Sequence, residues 1–135
     1  MRSLRGALKS NSVKFLSVDE AVAIQESLTE KFGGRRGVRD LGMLEASLYR
    51  PQTGSYEDLA AMAAAMFDAL LFNHAFHSAN HRIAFFATDV FLRINGYCLK
   101  VDASDASDFI ATLAGNDHNQ RAALLPLLRR SIMAI

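Results

Sequence analysis

Apolar side chains recur at three- and four-residue steps along most of this chain, the spacing of helices that bury one face. Val18, Ala21, Val22, Leu28 and Phe32 form one such stripe. Ser17-Val18-Asp19-Glu20 ahead of it reads as a capping box, so a first helix is predicted to start there, after a short extended piece from Val13 to Leu16. Gly33-Gly34 ends it, and the Gly- and Arg-rich stretch to Arg39 is predicted to be a loop or hairpin. Asp40 can cap a short helix carrying Met43, Leu44 and Leu48, which Pro51 closes. A second N-terminal signature, Ser55-Tyr56-Glu57-Asp58, precedes Leu59, Met62, Ala63, Met66, Phe67, Leu70 and Leu71, a helix predicted to run to about Asn73. The span Ile83 to Ile94 is apolar almost all round, which predicts a helix at the centre of a bundle, stopped by Asn95-Gly96. Asp102 or Ser104 is predicted to open a further helix through Phe109, Ile110 and Leu113, and Asn119 a last one through Leu128. Arg129 and Arg130 then favour that helix's C-terminal dipole.

Composition agrees with this pattern. Twenty-one Ala and 17 Leu against 2 Pro weight the chain toward helix, so the expected class is all-α, a single compact bundle. At 135 residues it should be one domain, 1–135, with a basic extension over 1–12. A net charge of +1 gives no electrostatic footprint for nucleic acid. Cys98, the single cysteine, reads as a small buried hydrophobe in a reducing compartment. No secretory signal is read behind the early basic residues, and Leu59 to Phe72 is too short to span a bilayer core of about 30 Å. No membrane is expected as a partner, and the expectation is a cytoplasmic protein.

One segment breaks the core-building logic. Asn73-His74-Ala75-Phe76-His77-Ser78-Ala79-Asn80-His81-Arg82 sets polar groups in a small-residue turn between two apolar helices. With Asn80 as N-cap, the first amides of the following helix form an anion site, and Arg82 adds a planar fork suited to phosphate. His74 at the other lip can take a proton from a hydroxyl near neutral pH, so the pattern suggests group transfer from a phosphate ester. Other readings stay open on spacing alone. His74 can be a helix-terminal histidine, Phe76 core filler, and Arg82 a partner of Asp89. His74, His77 and His81 can also be read as metal ligands, although no Glu occupies the general-base position of the zinc-protease motif.

His74-x-Phe76-x-x-Ala79-Asn80-x-Arg82 resembles the signature of the Fic (filamentation induced by cAMP) superfamily, and Ala79-Asn80 resembles its death-on-curing (Doc) branch. Phe15-Leu16-Ser17, Gly37 to Leu48, Arg50-Pro51-Gln52 and Ala87 to Tyr97 resemble Doc-type segments in the same order, extending the likeness over about residues 13 to 115. The resemblance implies an all-α Fic/Doc bundle with a short flap hairpin. In it His74 activates a target hydroxyl, supported by Phe76, while Ser78, Ala79, Asn80, His81 and Arg82 hold the phosphates of ATP. Gly34, Arg35, Arg36 and Gly37 form the flap that docks a target strand. It further implies Mg2+ as a cofactor, a translation factor such as elongation factor Tu as substrate, and restraint by a Phd-like antitoxin.

Several departures bear on the activity. Phe85 stands where the longer Fic motif has a second arginine, and Ala79 replaces the usual glycine, both favouring a Doc-type kinase over AMP transfer. No Ser or Thr followed four residues later by Glu and then Gly or Asn occurs, so the inhibitory-helix motif of self-restrained members is missing from the sequence. Ser78 takes the place of an acid that usually holds magnesium, leaving a poorer ligand for a hard cation. His81 stands where Doc has lysine and AMP-transferring members often glycine, so the sequence leaves open which phosphate moiety moves. A weakened Fic-fold binding module that retains nucleotide or antitoxin binding is the alternative reading.

Overall fold

Ser17 opens the first helix as its surroundings suggest: its hydroxyl accepts from the Glu20 amide at 3.1 Å, and its own amide donates to Glu20 Oε1 at 3.0 Å. The computed structural model describes residues 13–101, 109 and 123–135. Helix α1 spans Val18–Phe32 and ends at Gly33, whose φ of 83° suits a residue without a Cβ. Asp40 caps α2, Leu41–Tyr49, by accepting from the Met43 amide at 3.0 Å, and a 3-10 turn at Arg50–Gln52 buries Pro51. Asp58 caps α3, Leu59–Asn73, and α4 follows over Asn80–Arg93.

Among the described helices the most enclosed is α3, which buries Leu59, Met62, Met66, Phe67, Leu70 and Leu71 along with most of its alanines. The span expected at the centre, α4, buries Ile83, Phe85, Phe91 and Leu92 but leaves Phe86 37% exposed. Small alanines let α3 sit among its neighbours on nearly every side, and a reading by apolar run length overlooks that. Phe109 packs edge-on against Phe67 and Phe85, with ring centroids 5.7 and 6.0 Å away. The rest of the helix expected from Asp102 or Ser104, and the expected start at Asn119, lie outside the described residues. Helix α5 spans Leu124–Ser131, past the expected end at Leu128. Arg129 lies in its last turn and also pairs with Asp58 at 3.1 Å and Glu57 at 3.4 Å, tying α5 to the start of α3.

A two-stranded antiparallel sheet joins β1, Tyr97–Leu99, to β2, Ile132–Ala134, with Cys98 opposite Met133. Strands of this length carry too few residues for an alternation to be visible in the sequence. Val13 to Leu16 forms no helix or strand, and Lys14 within it pairs with a side chain. Asn95 accepts from the Lys14 amide at 2.9 Å and donates to the Lys14 carbonyl at 2.8 Å. No described helix is long and apolar enough to cross a membrane.

Candidate active site

The two described residues with positive φ that are not glycine, His74 (φ 50°) and Ala79 (φ 66°), bracket the loop between α3 and α4. A left-handed conformation costs an ordinary residue on the order of 1 kcal/mol, so other contacts must impose it. Asn80 supplies one set. It is the first residue of α4, with Ala79 and not Asn80 at the N-cap, and its side chain reaches back across the loop. Asn80 Oδ1 accepts from the Phe76 amide at 3.1 Å, and Nδ2 donates to the Phe76 carbonyl at 3.0 Å. Phe76 is buried, so its core role and its place in the motif are the same fact: the ring anchors the loop in the core. Arg39 supplies the other set, donating to the His74 carbonyl at 2.8 Å and the Asn73 carbonyl at 3.3 Å, where α3 ends with unpaired acceptors.

His74 therefore does stand at a helix C-terminus, but its backbone makes the cap. Its side chain is exposed and meets no hydrogen-bond or ionic partner among the described residues. At the other end of the loop, the first α4 amide bonded within the helix is that of Ile83, to the Ala79 carbonyl at 2.8 Å. Among the described residues the amides of Asn80, His81 and Arg82 have no acceptor and carry the positive end of the helix dipole. Arg82 does not pair with Asp89, which Arg93 holds at 2.8 Å. That hydrogen bond and the carboxylate's charge raise the Arg93 pKa. The Arg82 guanidinium instead lies 4.9 Å from the centre of the Phe32 ring. No group of three His, Cys, Asp or Glu side chains among the described residues could hold a metal, which removes the histidine-cluster reading there.

The flap runs beside this loop. Val38 forms an antiparallel bridge with Phe76, the Arg39 and Asp40 amides donate to the Ala75 carbonyl at 2.8 and 3.0 Å, and the His77 amide donates to Gly37 at 3.2 Å. Arg35 donates its amide to Ser78 Oγ at 3.0 Å, whereas Arg36 turns away to Glu26 at 3.0 Å. Gly34 has a φ of +110°, which favours glycine, and a Cβ there would sit 3.1 Å from that of Ser78, so the approach is also tight. Ser78 offers magnesium only a neutral oxygen that already accepts an amide, so the residues present do not fit a protein-held magnesium ion.

Sequence reading missed Gln25. It is fully buried on α1 and donates from Nε2 to the carbonyls of Arg35 at 3.0 Å and Ser78 at 3.4 Å, while its Oε1 accepts from the Gly37 amide at 3.3 Å. The available signal was a glutamine on the buried stripe between Ala21 and Leu28. Between α1 and α4 an apolar groove of about 400 Å³ opens, lined by Ile24, Leu28, Phe32, Phe86 and Val90.

The model of the Fic/DOC family matches residues 15–92, stopping short of the likeness expected to 115. Toxin Doc of Mycolicibacterium smegmatis is 40% identical over 91 residues, covering 60% of this chain and 70% of that protein. Protein kinase doc of Escherichia phage P1 is 33% identical over 88 residues, covering 62% of this chain and 70% of that protein.

Proposed function

The chain belongs to the Fic/DOC family, and on that premise we propose that it is a Doc-type toxin that uses ATP to modify a hydroxyl side chain of a translation factor in the cytoplasm. Elongation factor Tu is the target that the family resemblance favours. The observation that carries this reading is one loop with an exposed histidine at its α3 end and acceptor-free amides at its α4 end, clamped by Asn80 and Arg39. Phosphate transfer is preferred to AMP transfer, supported by the similarity to a protein named a kinase and by Phe85 in place of a second arginine.

In the reaction, His74 takes the proton of the acceptor hydroxyl as its oxygen attacks the terminal phosphorus. The new O–P bond forms as the bond from that phosphorus to the β–γ bridging oxygen breaks, and ADP leaves. The amides of Asn80, His81 and Arg82, with the Arg82 guanidinium swung off Phe32, hold the nucleotide phosphates. Ser78 and Ala79 shape the turn that delivers those amides. Magnesium, if used, would be carried by ATP as part of the substrate and not held by these residues. The flap of Gly34, Arg35, Arg36 and Gly37 aligns an extended target segment by backbone pairing.

Restraint comes from a Phd-like antitoxin segment, helical when bound, in the apolar groove between α1 and α4. The second reading, a fold that binds nucleotide or antitoxin without transfer, is favoured by the occupied hydroxyl of Ser78. Parallel reactions with alpha- and gamma-labelled ATP and purified elongation factor Tu separate the two. Transfer of the gamma label supports the kinase, and transfer of the alpha label turns the reading to AMP transfer. Transfer of neither, with ATP still bound, leaves the binding module.

A further inference from the structure

Gln25 carries a fully buried side-chain amide, and burying such a group is unfavourable unless its polar atoms find partners. All of its partners belong to two segments outside α1, the flap and the motif loop, the flap being also held to α1 by the Arg36–Glu26 ion pair at 3.0 Å. Nε2 bonds Arg35 of the flap and Ser78 of the motif loop, and Oε1 bonds Gly37 of the flap. Ser78 closes the circuit by accepting from the Arg35 amide. Gly34 packs against Ser78 so closely that a Cβ there would sit 3.1 Å from that of Ser78, and one of the two would have to shift. Flap and loop are therefore fastened to each other and to one rigid helix by four hydrogen bonds.

We propose that Gln25, working through Ser78, is a positioning device that fixes the flap at a set distance from the phosphate-binding loop. Ser78, at the place where the resemblance leads one to expect a metal-holding acid, serves here as the flap's anchor. The consequence is geometric. A target strand paired along the flap is delivered to His74 at a spacing from the nucleotide that these bonds fix at the Gly34–Gly37 end, where two glycines at positive φ leave the backbone free, beyond the backbone bonds that hold Gly37 to Asp40 against the loop. This inference rests on the function proposed above, so its test has one arm that needs no activity.

That arm is amide hydrogen exchange in the full chain, wild type against Gln25→Leu and Ser78→Ala. Gln25→Leu removes three of the bonds, and Ser78→Ala keeps the core intact should the first variant fold poorly. A device in which the parts act together loses protection at both the Arg35 and Gly37 amides in either variant, by about tenfold. Loss confined to the amide whose own acceptor was removed, or no loss, overturns the proposal. The second arm is kinetic, with elongation factor Tu and labelled ATP. Gln25→Leu should raise KM for the protein by about tenfold while KM for ATP moves less than about twofold. A general weakening of the fold would instead lower the amount of active protein and leave both KM values alone, which overturns the positioning role. If wild type transfers no label, the functional reading fails, and the exchange arm still decides the clamp.

Discussion

The guanidinium of Arg39 donates from Nε to the backbone carbonyl of His74 at 2.8 Å, so a side chain of the flap caps the helix that presents the histidine. A second donation to Asn73 at 3.3 Å shares the load at the end of α3. Cations suit a helix C-terminus, and the fork satisfies two acceptors at once. Arg39→Ala is expected to lower stability by about 1–2 kcal/mol in urea unfolding. It should also reduce transfer more than this loss of folded protein explains, with Arg39→Lys intermediate because an ammonium cannot hold both carbonyls in one plane. Equal activity per folded molecule in wild type and Arg39→Ala would show that His74 is held without it.

His74 adopts φ 50°, a conformation in which glycine is at ease. His74→Gly is therefore expected to unfold at higher urea than His74→Ala by about 1 kcal/mol, and to equal or exceed wild type. Both variants should be inactive. A more stable His74→Ala would mean that the loop does not impose the left-handed backbone.

Asn80 closes the loop on Phe76 with a donor and an acceptor, both buried. Asn80→Ala leaves a buried amide and carbonyl without partners and is expected to cost about 2–4 kcal/mol, measurable by thermal or urea unfolding. Asn80→Asp keeps the acceptor and should lose less. A loss below about 1 kcal/mol in Asn80→Ala would mean that water replaces the clamp.

A methyl group at Gly34 meets Ser78 at 3.1 Å and must also accept a φ of +110°. Gly34→Ala is expected to displace the flap from the loop, raising amide exchange at Arg35 and destabilising the protein by about 1–3 kcal/mol. Unchanged exchange would show that the flap reaches its position without this close approach.

These residues also mark what the sequence made legible. Capping side chains are local signals: Ser17 and Asp40 open their helices as the sequence suggests, and the third helix takes Asp58, the last residue of the Ser55–Asp58 signature, as its cap. The motif from His74 to Arg82 was legible because polar residues clustered where a core pattern broke. An asparagine at a helix start ordinarily bonds forward, so from sequence Asn80 reads as the cap; here it bonds back to Phe76, a choice set by a buried ring four residues earlier. Gln25 and Arg39 were passed over because their partners lie 10 to 53 and 34 to 35 residues away, beyond any local pattern. The pairing of Tyr97–Leu99 with Ile132–Ala134 escaped for the same reason.

The central claim is that His74 serves as the base for transfer from ATP, and it is tested most directly by comparing wild type with His74→Ala in a reaction containing gamma-labelled ATP and elongation factor Tu. Positioned proton transfer contributes about 10² to 10⁴-fold, so wild type should label the protein and a folded His74→Ala should fall by at least about a hundredfold, with ATP still bound. Labelling by His74→Ala at the wild-type rate would contradict the claim.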